Sequence, residues 1–375
     1  MSKPSVSVVV TSRNEYPLSI GTILSFYEEL TFWNYDFEII VVDNLSDDLG
    51  PEVIEDKFRR WIREKILRVI RFNDRPGNVV VRNVGVREAR GDVVVVCDAH
   101  LSISRGSIHG MVSNWSRVGG LWHPAIHSWG DTSDIRCYGY RLKLEEKFWG
   151  NLSRYLPESS QSLPTELPEA PAGLEDHWIG PPFPHRVPMA SHCCLLAGRE
   201  EYLELGGYHE SFRCYGGGEP FLDLLYWIMG REVWIESRAL VRHATFSRAR
   251  WQQLTKDHAG APIWIKGRGL TKTAKAGEER LAYGRGYGFT NEQIHFNFML
   301  SAFVIGGVEW LEKIYRNYYE VRKINPRYVR DLKQLRREVI REGMERRQWV
   351  DKNAVRTLDE LLELKPWEVT RGACQ

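Results

Sequence analysis

No stretch of this 375-residue chain approaches the roughly 18 consecutive apolar residues that a membrane-spanning helix needs. No basic-then-apolar segment opens it either, so the expectation is a protein of the cytoplasm with no membrane partner. Its six cysteines (Cys97, Cys137, Cys193, Cys194, Cys214 and Cys374) are scattered without a C-x-x-C spacing, which excludes the usual zinc and thiol-redox motifs. The adjacent Cys193 and Cys194 read as small buried filler. There is no internal repeat. After the first predicted strand there is neither a G-x-G-x-x-G nor a G-x-x-x-x-G-K-[ST] run, which argues against a dinucleotide fingerprint and a P-loop.

What is present is globular: 43% hydrophobic and 27% charged residues, enough for one large or two ordinary domains. The formal net charge of +2 hides an asymmetry, because residues 241–350 hold 22 Lys and Arg against 11 Asp and Glu. A block of that kind fits an anionic partner, and it equally fits a solvated helical face. The sequence sets no oligomeric state.

The pattern along the chain alternates strands and helices. Residues 5–11, 38–42, 67–72 and 93–97 are β-branched-rich strands, separated by helices expected over about 18–30, 51–65 and 79–90. Such an order predicts an open parallel sheet, whose ligands bind beyond the carboxyl ends of the strands. Thr11, Asp43, the Arg75–Gly77 turn and Asp98 all fall at those ends. The strand Val93-Val94-Val95-Val96-Cys97 runs into Asp98-Ala99-His100, and residues i and i+2 of extended chain point the same way. Asp98 and His100 are therefore set to close on one cation, with a donor pair suited to Mn²⁺ or Zn²⁺. A lone D-x-H is more often a turn acid beside a surface histidine; its place at a strand end among other polar ends tips the balance. Asp43 can accept from hydroxyls or a base N–H, and Arg82 can meet a base carbonyl or a phosphate.

Further on, a Pro/Ser/Glu-rich stretch over 157–171 predicts a long surface loop. Residues 251–290, Gly-rich and basic, predict a mobile loop placed to close over a site. Residues 291–314, then basic helices over 315–347 broken at Pro326, then 355–364, make a helical C-terminal region.

Six segments in order carry a resemblance. Val8-Val9-Val10-Thr11-Ser12-Arg13-Asn14-Glu15, Ile39-Ile40-Val41-Val42-Asp43-Asn44, Asp98-Ala99-His100, the run from Arg186 to Tyr208, Tyr215-Gly216-Gly217-Gly218-Glu219 and Val241-Arg242-His243 resemble the GT-A-fold, family-2-like glycosyltransferases, in particular the polypeptide N-acetylgalactosaminyltransferases. The resemblance covers about residues 5–250. It implies an α/β GT-A fold, a Rossmann-like, mostly parallel sheet flanked by helices, with a catalytic domain over 1–250, the basic loop over 251–290 and the helical region over 291–375. It also implies that His243 joins Asp98 and His100 in holding Mn²⁺ (or Mg²⁺). Thr11, Arg13, Glu15, Asp43, Arg75, Gly77, Arg82 and Asp98 would then line a pocket for a UDP-sugar donor. The acid of the Gly-Gly-Glu segment would face the sugar or acceptor, but Glu219 is followed by Pro220 and a second acid comes at Asp223, so both are candidates.

The function so implied is metal-dependent transfer of a hexosyl or N-acetylhexosaminyl group to a hydroxyl, with retention weakly favoured. The acceptor stays open at this point. A hydroxymethylated base in DNA, as phages modify, would suit the basic block, with Lys266, Arg268, Lys272, Arg316, Arg336 and Arg337 on the phosphates and the protein in a host's cytoplasm. Protein Ser/Thr or a saccharide are the alternatives. A nucleotidyltransferase of the same fold, or a nucleic-acid-binding protein with a degenerate sugar-transferase domain, are further ones.

Overall fold

The computed structural model describes residues 3–46, 50–72, 77–129, 136–137, 140–142, 150–154, 184–213, 217–244, 291–316 and 332–362. Its first half follows the sequence pattern closely. Strands β1 (Val6–Ser12), β2 (Phe37–Asp43), β3 (Leu67–Arg71) and β4 (Val93–Asp98) lie parallel, with β1 between β4 and β2. Alternate valines go to opposite faces: Val8, Val10, Val93 and Val95 enter one core cluster, Val9, Val94 and Val96 the other. A strand covered on both sides has no polar face, which is why its sequence is a run rather than an alternation.

Beyond β4 the sheet departs from the expected open parallel one. Strands β5 (Leu101–Ile103), β6 (Leu121–Trp129), β7 (Arg136–Cys137), β8 (Tyr140–Leu142), β9 (Gly150–Arg154), β10 (His185–Arg186), β11 (Cys194–Gly198) and β12 (Val233–Ala244) follow. The main sheet runs β10-β12-β6-β11-β4-β1-β2-β3; β5 pairs with β12, β7 with β6, and β8 with β9 form a separate ribbon. β11 is antiparallel to both β4 and β6, and β10 and β5 are antiparallel to β12. The sheet is therefore mixed, parallel over its β4-β1-β2-β3 half.

Helices α1 (Leu18–Phe32), α2 (Gly50–Lys57), α3 (Arg59–Arg63), α4 (Asn78–Glu88), α5 (Ser107–Val118), α6 (Arg199–Glu204) and α7 (Gly218–Ile228) cover the two faces. The single helix expected over 51–65 is two, because Phe58 leaves helical geometry (φ −105°, ψ 23°) with its ring buried and stacked on Trp61. Buried Glu29 of α1 accepts hydrogen bonds from the amides of Gly106, Ile108 and His109, placing a carboxylate on the N-terminus of α5. The C-terminal helices α8 (Asn291–Ile314), α9 (Leu332–Asn353) and α10 (Leu358–Leu362) share the core of α7: Phe296, Met299, Leu300, Phe303, Leu335 and Val339 belong to the same buried cluster as Phe221 and Leu225. α8 bends at Gly307 (φ 76°). The expected surface loop over 157–171, the basic loop over 251–290 and the break at Pro326 lie outside the described residues. No described helix is long and apolar enough to cross a membrane.

Candidate active site

The site grows from the end of β4. Asp98 ends the strand, the chain turns, and His100 precedes β5. Because β5 pairs antiparallel with the end of β12, in the register His243↔Leu101, a histidine 143 residues downstream arrives beside His100. The two Nε2 atoms are 3.0 Å apart, and His243 Nε2 is 3.5 Å from Asp98 Oδ2. These three residues could hold a divalent ion. Two imidazole nitrogens at 3.0 Å fit cis ligands on one ion with bonds of about 2.1 Å. Burial lowers the pKa of His243 despite its bond to Asp98 and so favours the neutral, ligating form.

Two of the three ligands are held from behind. Glu15 Oε2 lies 3.3 Å from His100 Nδ1, the carboxylate–imidazole arrangement that fixes a metal-ligating ring. Asp98 Oδ1 accepts from Arg82 Nη2 at 2.7 Å, leaving Oδ2 toward His243. Burial pushes the Asp98 carboxyl up, but the Arg82 guanidinium and the histidines outweigh it and hold it at about 2. Arg82 also donates to the His192 carbonyl at 2.7 Å and reaches the Tyr208 hydroxyl at 3.4 Å. It is thus pinned at the floor of a pocket that Asp98, His192, Tyr208, Glu219 and His243 help to line.

The first turns of two helices close this pocket. α4 begins after Gly77 (φ 110°), and α7 after Gly217 (φ 76°), where an added Cβ would stand 2.9 Å from the Asn297 carbonyl carbon. Glu219, in the first turn of α7, accepts from the His192 amide at 3.1 Å, and burial raises its carboxyl against the pull of His192 and Arg82. Asp223, one turn on, is fully buried behind the pocket, where its oxygens take the Ala190 amide (2.7 Å) and His192 Nε2 (2.9 Å). Of the two candidate acids, Glu219 lines the cavity and Asp223 does not.

The remaining expected donor residues group at the neighbouring strand ends. Thr11 Oγ1 donates to the Cys97 carbonyl, Arg13 to the carbonyls of Asn44 and Leu45, and Asp43 accepts from Ser46. Burial raises the Asp43 carboxyl against those hydrogen bonds and the charges of Arg13 and Arg71. Arg75, Lys266, Arg268 and Lys272 lie outside the described residues. Arg316 and Arg337 are exposed, and Arg336 pairs with Glu312; none of the three lines the pocket. Sequence reasoning missed Asn78, Ser191, His192 and Tyr208, and it placed Glu15 on the nucleotide rather than behind His100. No spacing marks those residues; only the antiparallel insertion of β11 brings 191–192 to the ends of β4.

The comparisons agree with this architecture. Residues 7–139 match the family model Glycosyl transferase family 2. Polypeptide N-acetylgalactosaminyltransferase 8 of Drosophila melanogaster is 26% identical over 234 residues, which is 61% of this chain and 36% of that protein. The inactive polypeptide N-acetylgalactosaminyltransferase-like protein 5 of Macaca fascicularis is 27% identical over 66% of this chain and 53% of its own length. Among solved structures, GalNAc-T7 with UDP, GalNAc and Mn²⁺ superposes with a TM-score of 0.60 at 17% identity, covering 96% of this chain and 56% of that one. The fold is the GT-A fold seen in glycosyltransferases. Within it, this chain resembles the polypeptide N-acetylgalactosaminyltransferases, while spanning only about a third to a half of the length of these two relatives.

Proposed function

We propose that the chain transfers a sugar from a UDP-sugar to a hydroxyl group of a polypeptide, with Asp98, His100 and His243 holding Mn²⁺. The observation that carries this reading is the convergence of those three ligands beside a pocket walled by Arg82 and Glu219. A cation there would neutralise the diphosphate leaving group. The chain's own residues set the stage: Glu15 and Arg82 orient two of the ligands, Asp43 and Arg13 offer polar groups at the adjoining strand ends, and Glu219 presents a carboxyl to the sugar or acceptor. If the reaction inverts, Glu219 is the base; if it retains, Glu219 orients the acceptor hydroxyl.

The names of the relatives support a polypeptide acceptor, and GalNAc-T7 supports UDP, GalNAc and Mn²⁺. A nucleic-acid acceptor would rest on the basic block alone. Several of that block's described cations face carboxylates instead: Arg336 with Glu312, Arg347 with Asp351 and Lys313 with Glu309. The test is hydrolysis of UDP-GalNAc and UDP-GlcNAc with added Mn²⁺, and transfer to Ser/Thr peptides, in the wild type and in His100→Ala. Metal-dependent turnover that disappears in the variant is the expected result. A folded wild type that binds UDP without turning it over would place the chain with the inactive relative.

A further inference from the structure

Behind the pocket wall sits a second set of ligand-type side chains that the transfer reaction leaves without a task. We propose that His123, His192 and Asp223 form a second divalent-cation site, of the zinc class, that fastens three elements together. The three come from β6, from the segment before β11 and from α7, and are 0%, 2% and 0% exposed. Their candidate ligand atoms all lie within 4.8 Å of one another. Asp223 Oδ1 is 2.9 Å from His192 Nε2 and 3.4 Å from His123 Nε2, and the two rings lie 5.2 Å apart with planes inclined by 16°.

The outward atoms of Asp223 and His192 are already tied, as they are around a bound metal. Asp223 Oδ2 takes the Ala190 amide at 2.7 Å, and His192 Nδ1 meets the Tyr208 hydroxyl at 2.7 Å. That leaves Asp223 Oδ1 and His192 Nε2 facing the interior of the cluster. A plain Asp–His hydrogen bond would account for His192. It serves His123 less well, since its Nε2 stands 3.4 Å from the same Oδ1 that His192 already holds at 2.9 Å, and a buried ring nitrogen without a good hydrogen bond costs roughly 1–3 kcal/mol. A cation between the three would take the lone pair of His123 and offset the buried charge of the carboxylate. Two imidazoles and one carboxylate make the donor set zinc prefers, whereas Ca²⁺ and Mg²⁺ ask for more oxygens.

The consequence would reach the pocket. Asp223 is one helical turn from Glu219, and the amide of His192 binds the Glu219 carboxylate at 3.1 Å. Locking His192 to an ion shared with α7 fixes the amide that Glu219 accepts from, so the second ion acts as a positioning device.

The experiment uses the full chain, stripped with a chelator and titrated with Zn²⁺ alone, with bound metal counted by mass spectrometry and folding followed by circular dichroism. The expected result is two ions per chain in the wild type and one in His243→Ala, which removes a ligand from the first site only. Adding Asp223→Asn or, separately, His123→Gln to His243→Ala should remove the remaining ion. Two such variants guard against one that fails to fold. Co²⁺ bound to His243→Ala should show the visible absorption of a tetrahedral site, which a purely hydrogen-bonded cluster lacks. Folded His243→Ala that binds no Zn²⁺, or double variants that keep the ion, would overturn the proposal. Neither result depends on whether the chain turns over a UDP-sugar.

Discussion

At Asp98 one carboxylate faces two ways, with Arg82 on one oxygen and His243 on the other. Removing the guanidinium would leave that half-buried carboxylate without its main opposite charge. Arg82→Ala is therefore expected to weaken UDP binding in the presence of Mn²⁺, and Asp43→Ala to weaken it from the neighbouring strand end. Each loss of a charged hydrogen bond is worth roughly 1.5–3 kcal/mol, or about 10- to 150-fold in affinity. Calorimetric titration measures this, and unchanged affinity in both variants would remove them from the donor site. Glu219 makes a different prediction. Its pKa is raised, chiefly by burial, so the ionised form appears only as pH climbs past a point above the ordinary glutamate value of about 4.3. If turnover needs the carboxylate, the acid limb of kcat against pH sits above that value and vanishes in Glu219→Gln, whose residual rate is low and flat. A Gln variant that keeps the limb would show that another group carries it.

Among the elements, the helix starts are the sensitive points. Gly217 holds a left-handed φ of 76° hard against Asn297, whose side chain grips both the amide and the carbonyl of Arg213, and Ser301 takes the Gly217 carbonyl. Gly217→Ala must adopt a conformation that costs of order 1–3 kcal/mol and push back α8 as well. The expected loss is at least that much in denaturant unfolding, together with slower turnover from a displaced Glu219. A second element-level feature is Glu38 on β2. Burial pushes its carboxyl up, yet bonds from Ser7 and Arg90 and the charge of Arg68 hold it below the usual range. A depressed carboxylate stabilises the fold above its unfolded pKa, and that contribution is lost as pH falls through the folded value. Stability should therefore fall below about pH 4.3 by more in the wild type than in Glu38→Gln. Denaturation midpoints at two pH values check the sign.

Elements with an unbroken apolar run or a clear helical period were legible from sequence. The valine strand β4, its parallel neighbours β1 to β3, and α8 fall where the pattern puts them. What was not legible depends on partners far away in the chain. β11 is five residues long and reads as parallel or antiparallel with equal ease; only its insertion between β4 and β6 decides it. The same insertion separates Glu219 from Asp223, two acids that sequence treats alike. His243 was reached by resemblance rather than by periodicity, because nothing local to Val241-Arg242-His243 shows that β5 lies opposite.

At the scale of the whole molecule, the basic block over 241–350 bears on the choice of acceptor. Residues 241–350 carry twice as many cations as anions, and a duplex acceptor would exploit that through counterion release. In the described helices, however, cations of this block are set against carboxylates across and along the elements: Lys313 with Glu309, Arg336 with Glu312, Arg347 with Asp351. Exposed pairs of this kind add little stability, but they reduce the charge a polyanion would feel. If the block did bind a duplex, even four phosphate contacts would lower affinity roughly 100-fold between about 50 and 200 mM salt. The polypeptide-acceptor reading expects no such slope, and it expects peptide glycosylation to proceed unchanged when DNA or RNA is added. Both are read in one set of assays at three salt concentrations, with a charge-reversed Arg336→Glu/Arg337→Glu chain as control. Steep salt-dependent binding that is flattened in the control, together with competition by the nucleic acid, would move the acceptor from protein to nucleic acid while leaving the metal and donor site where they are.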